Sequence, residues 1–291
     1  MPLPASELIL NQDQSIYHLN LLPQDMADII IIVGDPDRVS MVSAYFDHIE
    51  VVKQKREFLT HTGTYKSKRI TVISSGIGTD NIDIVLNELD ALANIDFKTR
   101  KVKEHLKSLH IIRIGTSGAV QADIPLGSLL ISEKAIGLDA LLHFYESEAM
   151  VDIEFSNAFI SHMKWDKHMS HPYTIDASPK LLSIFNNAQF IKGVTLTNVG
   201  FYGPQARTLR LKPSLELFHQ KLKNFTFQEK RITNLEMETS GIYGLSKLLG
   251  HQAISVNCIL ANRATSEFSQ QPNKVVNKAI KITLDLIANS L

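Results

Sequence analysis

Six short runs of apolar and β-branched residues punctuate the chain, at 29–33, 70–74, 110–114, 128–131, 194–198 and 253–259. They are continuous rather than alternating, which predicts strands covered on both faces. Between them, segments 39–46, 81–93, 179–187, 236–249 and 273–290 carry apolar residues at helical spacing. This alternation predicts an α/β fold, a central mixed or parallel β-sheet flanked by helices. No repeat or low-complexity linker divides the chain, so residues 1–291 are read as one domain.

Bulk properties narrow the function. At 291 residues the chain can bury a full core. Lys+Arg and Asp+Glu both number 30, so nothing draws the chain as a whole toward nucleic acid or an anionic membrane, and any anion site must be local. The single cysteine, Cys258, excludes an intrachain disulfide and a cysteine-cluster metal site, and fits a reducing compartment. Residues 1–7 hold no basic stretch leading into an apolar run, and no run approaches membrane-spanning length, so a cytoplasmic protein is expected. The lysine-rich stretch 96–107 reads as a solvated helical extension. His162, His168 and His171 cluster without a cysteine or HExxH frame and read as surface residues.

Ligands in α/β sheets bind beyond the carboxyl ends of strands, so the residues after each run matter most. Gly34-Asp35-Pro36-Asp37-Arg38 follows the first run. Its glycine admits a ligand to the backbone, it leads into a helix N-terminus, and Arg38 adds a planar cation suited to phosphate. An ordinary β-turn accounts for Gly-Asp and Asp-Pro equally well. Arg113-Ile114-Gly115-Thr116-Ser117-Gly118 offers a charge, hydroxyls and accessible backbone N–H groups to an anion. It is not a GxxxxGK[ST] loop, and Gly76-Ile77-Gly78 lacks the third glycine of a dinucleotide fingerprint. In Phe201-Tyr202-Gly203-Pro204-Gln205-Ala206-Arg207 an aromatic ring could stack on a base while Gln205 and Arg207 read a pyrimidine edge. A surface turn with an aromatic plug is the plainer alternative.

Asn234-Leu235-Glu236-Met237-Glu238-Thr239 places two carboxylates around a thioether. A carboxylate can accept from both hydroxyls of a ribose diol, and a thioether gives the sugar a soft apolar surface. The competing reading is a helix start, with Asn234 as its cap and acids in its first turn. No Ser/His/Asp triad, cysteine nucleophile or zinc ligand set accompanies these elements. Together they point to a nucleoside plus phosphate.

In this order the motifs resemble the nucleoside phosphorylase-I family over residues 16–287. Besides those above, the resemblance rests on Arg56-Glu57-Phe58, Ser75-Gly76-Ile77-Gly78, Leu138-Asp139 and Asn262-Arg263. It implies reversible phosphorolysis, uridine being the expected nucleoside, with inorganic phosphate as co-substrate and no organic cofactor or catalytic metal. By resemblance Gly34, Arg38, Arg113 and Thr116 hold phosphate, joined by Arg56 reaching into a neighbouring subunit's site. Met237 and Glu238 hold the ribose, and His18 meets its 5′-hydroxyl across a subunit contact. Phe201, Gln205 and Arg207 read the base, with Glu236 supporting that wall. Arg207, Arg113 and Glu238 are the expected catalytic group. A homodimer with shared sites follows, within a hexamer by analogy with bacterial relatives.

The sequence also departs from the family pattern. Ala206 replaces a usual glutamate, Gly203-Pro204 inverts a Pro-Gly, and Thr79 replaces a glycine. A monovalent cation could sit at Glu57, Ile77 and Asn81, although Asn81 stands where serine is usual. Stretch 96–107 is an insertion. A purine-specific member, a hydrolytic nucleosidase and a non-catalytic nucleoside-binding protein are the alternatives. The absence of an acid at 262–265 and the presence of Gln205 and Arg207 favour a pyrimidine.

Overall fold

A computed structural model describes residues 2–291; the reading of the N-terminus at Met1 lies outside them. The chain opens with β1 (Ile29–Val33), α1 (Pro36–Ser43), β2 (His48–Lys55), β3 (Phe58–Tyr65), β4 (Lys68–Ser74) and α2 (Thr79–Asn94). The hairpin β5 (Ile95–Asp96) and β6 (Lys101–Val102) leads to β7 (His110–Ala119), β8 (Leu129–Gly137) and α3 (Ile153–Met163). Then follow β9 (Tyr173–Asp176), α4 (Pro179–Ile184), β10 (Phe190–Thr197), α5 (Phe218–Asn224), β11 (Thr226–Phe227) and β12 (Lys230–Glu236). The last elements are α6 (Thr239–Leu248), β13 (Gln252–Asn262), β14 (Glu267–Phe268) and α7 (Pro272–Ser290).

All six apolar runs are strands, and they join one mixed sheet in the order β11-β12-β10-β8-β13-β7-β1-β4-β3-β2. The expected α/β architecture holds. β1 is parallel to both β4 and β7, β13 is parallel to β7, and β10 is parallel to β8 and β12. β12 also meets β7 antiparallel at Asn234 and Leu235, so β7, β13, β8, β10 and β12 close on themselves. Helix α2 packs against α6 on one face, over a core that includes Leu86, Leu89, Ile242 and Leu245. Helix α7 covers the other face with Val276, Ile280, Leu284 and Ile287. The helices thus supply the apolar cover that the continuous strand runs demand.

Several expected boundaries move. The third run extends through Gly115-Thr116-Ser117-Gly118, so this phosphate-loop candidate is strand, its ladder completed by β13. Asn234 is not a helix cap: residues 230–236 form β12, and α6 begins at Thr239 with Glu238 as its N-cap residue. Pairing with β10 and β7 satisfies that backbone and overrides a local pattern that looks like a helix start. Stretch 96–107 is not helical. It makes the β5–β6 hairpin, and Arg100 donates to the carbonyls of Leu3, Pro4 and Leu8, which ties it to the N-terminal segment. His162, His168 and His171 are exposed, as expected. No helix among the described residues is long and apolar enough to cross a membrane.

Candidate active site

A cavity of about 1030 Å³ opens where the carboxyl ends of the parallel strands converge. Its lining includes Gly34 and Arg38 after β1, Arg113 and Thr116 on β7, and Glu236, Met237 and Glu238 at the end of β12. Phe201, Gln205 and Arg207 come from the loop after β10, and Arg263 from the end of β13. Four expected residues lie outside the lining: His18, Arg56, Glu57 and Asn81.

Arg113 is the organising cation. Its Nη2 donates to Glu238 Oε2 at 2.5 Å and forms an ion pair with Glu236 Oε2 at 3.1 Å, while Nη1 reaches Asn257 Oδ1 at 3.1 Å and Ser255 Oγ at 3.4 Å. The register explains the fit, because Ser255 and Asn257 on β13 lie opposite Arg113 and Gly115. The side chain crosses directly over Gly115, where any Cβ would collide with it. Burial alone would lower the Arg113 pKa, but the adjoining Glu236 and Glu238 carboxylates outweigh it and the net shift is upward.

The two carboxylates differ in what they have left to give. Glu236 accepts from the Thr197 hydroxyl at 2.6 Å on Oε1, and on Oε2 from the backbone N–H groups of Glu238 and Thr239, the same oxygen pairing ionically with Arg113. Its side chain is only 1% exposed. Glu238 takes Arg113 on one oxygen and the Gly78 N–H at 2.8 Å on the other, keeping lone pairs toward the cavity. Gly78 has φ +95, a conformation that favours glycine, and this aims its N–H across to the carboxylate. Burial raises the Glu238 pKa, the Glu236 charge adds to the rise, and Arg113 opposes it.

Around Arg38 the environment is different. Among the described residues its guanidinium has neither a hydrogen bond nor an ion pair, so its donors are free for a ligand. Burial and the nearby Arg113 charge lower its pKa. Asp35 caps α1 by accepting from the Asp37 N–H.

The loop after β10 is knitted together by Arg207, whose Nη1 donates to the Phe201 carbonyl at 2.7 Å and to Gln205 Oε1 at 2.5 Å. Its guanidinium carbon lies 3.8 Å from the Phe201 ring centroid, an attractive cation–π contact. Burial, then repulsion from Arg263, lowers the Arg207 pKa to about 10, so it remains a cation at neutral pH.

Outside the cavity, Glu88 on α2 accepts from the His18 and Leu19 N–H groups and meets His18 Nδ1 at 2.7 Å. Arg56 is exposed in the β2–β3 turn. Asn81 donates to Glu57 at 3.1 Å, and Ile77 is exposed on the cavity rim. Sequence reasoning passed over Ser255, Asn257 and Thr197, which brace the buried ion cluster. The signal was there: polar residues inside apolar strand runs need buried partners.

A family model for the Phosphorylase superfamily matches residues 28–288. The chain belongs to this family. Among curated relatives of this superfamily member, the uridine phosphorylase of Thermococcus kodakarensis is 30% identical over 276 residues, 91% of this chain and 86% of that protein. A DeoD-type purine nucleoside phosphorylase of Buchnera aphidicola is 27% identical, covering 93% of this chain and 98% of its own. A Trypanosoma brucei nucleoside phosphorylase described as showing uridine phosphorylase activity superposes with a TM-score of 0.87 at 28% identity, covering 97% of this chain and all of that one.

Proposed function

We propose that this protein is a pentosyltransferase that splits a pyrimidine nucleoside with phosphate, converting uridine and phosphate to uracil and ribose 1-phosphate. The observation that carries the reading is the pairing of two unlike groups in one cavity. Arg38, with no partner among the described residues, stands with Gly34 and Thr116 as an anion site, while Gln205, Arg207 and Arg263 line the base side, where positions 262–265 after β13 carry no acid. A hydrolase would have no use for the anion site. The named relatives that act on uridine point the same way.

In the proposed reaction phosphate attacks C1′ as the C1′–N1 bond breaks, and the departing uracil keeps the electron pair. Arg38, the Gly34 backbone and Thr116 hold phosphate against the sugar's developing positive charge. Glu238, fixed between Arg113 and Gly78, accepts from the ribose hydroxyls, and Met237 packs against the ring. Arg207 and Gln205 face the base, where donors aimed at its growing negative charge lower the barrier. Arg113 contributes chiefly by holding Glu238, since its terminal nitrogens are engaged by protein acceptors. Glu236, saturated, supports the wall by fixing Arg113. No step calls for an organic cofactor.

His18 and Arg56, exposed or half-exposed and away from this cavity, are proposed to complete the site of a second copy, making a homodimer the smallest active unit and a hexamer its assembly. A monovalent cation at Glu57, Ile77 and Asn81 would belong to that contact, and the 96–107 insertion would modify the assembly. A cytoplasmic location fits the single buried thiol of Cys258. The deciding assay follows the absorbance of uridine, thymidine, deoxyuridine and inosine with and without phosphate. Phosphate-dependent loss of uridine is expected. Turnover of inosine but not uridine overturns the pyrimidine assignment, and turnover without phosphate overturns phosphorolysis.

A further inference from the structure

On the base side of the cavity stand two guanidinium groups, Arg207 and Arg263, near enough that the Arg263 charge helps lower the Arg207 pKa. Arg207 is held by Phe201 and Gln205, but Arg263 has no carboxylate partner among the described residues. What holds it is an imidazole. His219, on α5, places Nε2 3.0 Å from Arg263 Nη2. An arginine only donates, so Nε2 must carry the lone pair and the proton must sit on Nδ1. That Nδ1 is buried and makes no well-formed hydrogen bond.

We propose that His219 is a positioning residue for pyrimidine cleavage, a neutral acceptor that turns Arg263 toward the base so that a second cation stabilises the departing anion. A carboxylate in its place would neutralise Arg263 and cancel the charge that the leaving base needs. An imidazole orients the same guanidinium without that cost. Its surroundings keep it neutral: burial, then the Arg263 charge, lowers the His219 pKa to about 4, with Arg207 adding to the effect and the Gln205 carbonyl opposing it. His219 does not line the cavity, so it acts through Arg263 rather than on substrate. The inference rests on the phosphorolysis reading above for the identity of the leaving group.

The test compares wild type, His219→Phe, His219→Gln, Arg263→Ala and the double variant His219→Phe/Arg263→Ala on uridine and 5-fluorouridine. The fluorinated base is the better leaving group and needs less charge stabilisation. His219→Phe should lower kcat on uridine about tenfold or more and on 5-fluorouridine clearly less, with the melting temperature little changed. His219→Gln, which keeps an acceptor, should recover most of the loss. In the Arg263→Ala background His219→Phe should add almost nothing, because the two act as one unit. Equal losses on both nucleosides, or additive losses in the double variant, overturn the proposal. If wild type cleaves neither nucleoside the phosphorolysis reading has failed, and ¹⁵N shifts of His219 then decide the pair. An Nδ1–H tautomer that Arg263→Ala disturbs supports it, and an imidazolium or an unperturbed ring overturns it.

Discussion

Gly115 lies directly beneath the Arg113 guanidinium: a Cβ added there would fall 2.0 Å from Nη1. The atom in the way belongs to a side chain fastened by Ser255, Asn257, Glu236 and Glu238, so it has nowhere to go without breaking those bonds. Gly115→Ala should therefore act as a lesion of Arg113. Overpacking of this kind costs about 1–3 kcal/mol of stability. Activity should fall further than stability, because Glu238 loses its clamp. Urea unfolding together with kcat/KM for uridine checks this, and an unchanged kcat/KM would show that Arg113 tolerates displacement.

Glu236 and Glu238 sit two residues apart and should respond differently to the same substitution. Every donor around Glu236 points at it, so the amide of Glu236→Gln would meet N–H groups with a donor of its own, at about 1–3 kcal/mol. Glu238→Gln keeps one acceptor, for the Gly78 N–H, but turns its amide donor toward Arg113 Nη2, so it should lose some stability as well, though less than it loses activity. Losing charged hydrogen bonds to the ribose, at about 1.5–3 kcal/mol, lowers kcat/KM by roughly 10- to 100-fold. Comparing melting temperature with turnover for both variants separates the roles. Equal loss of folding and activity in Glu238→Gln would return that residue to a structural role.

How much of this was legible beforehand depended on whether a residue's partners were local. The strands at 29–33 and 253–259 announce themselves because a doubly covered strand has no polar face to show. β12 did not, because Asn234 and the acids after it mimic a capped helix, and only the pairing with β7 and β10 makes it a strand. β2 and β3 went unread for a related reason: β2 is largely exposed and its lysines and glutamate hide the pattern. At the site, Arg38, Gln205 and Arg207 were readable because each follows a strand end. His219 was not, since its meaning comes entirely from Arg263, 44 residues away.

Asp285 on α7 gives the fold an acid-sensitive clasp. Hydrogen bonds from Lys66 first, then Tyr65 and Lys281, lower its pKa from 3.8 to about 2. A depressed carboxylate pKa means the unfolded chain binds the proton more tightly, so the stabilisation is present above the unfolded value and fades as pH falls through the folded one. Asp285→Asn should leave a protein whose melting temperature falls less steeply than wild type between about pH 4 and pH 2. The clasp is largely solvent-exposed, so the difference should shrink in high salt. Parallel melting curves for the two proteins across that window would remove Asp285 from the account.

Arg38 and Arg113 share a cavity but should fail in opposite ways. Removing Arg113 leaves two buried carboxylates without their cation, a loss of about 3–5 kcal/mol, so Arg113→Ala should be strongly destabilised. Arg38 has no such dependants: it is a partly buried cation with no partner among the described residues, and its pKa is lowered by burial. Arg38→Ala should fold as well as wild type or slightly better. Its loss should appear in phosphate binding, where a charge-assisted hydrogen bond worth about 1.5–3 kcal/mol corresponds to a roughly 10- to 100-fold rise in the KM for phosphate. The KM for uridine should move much less. Initial rates over a grid of both substrates, with melting curves alongside, measure all three quantities. A phosphate KM that stays put while stability drops would make Arg38 part of the scaffold and leave the anion site to other groups.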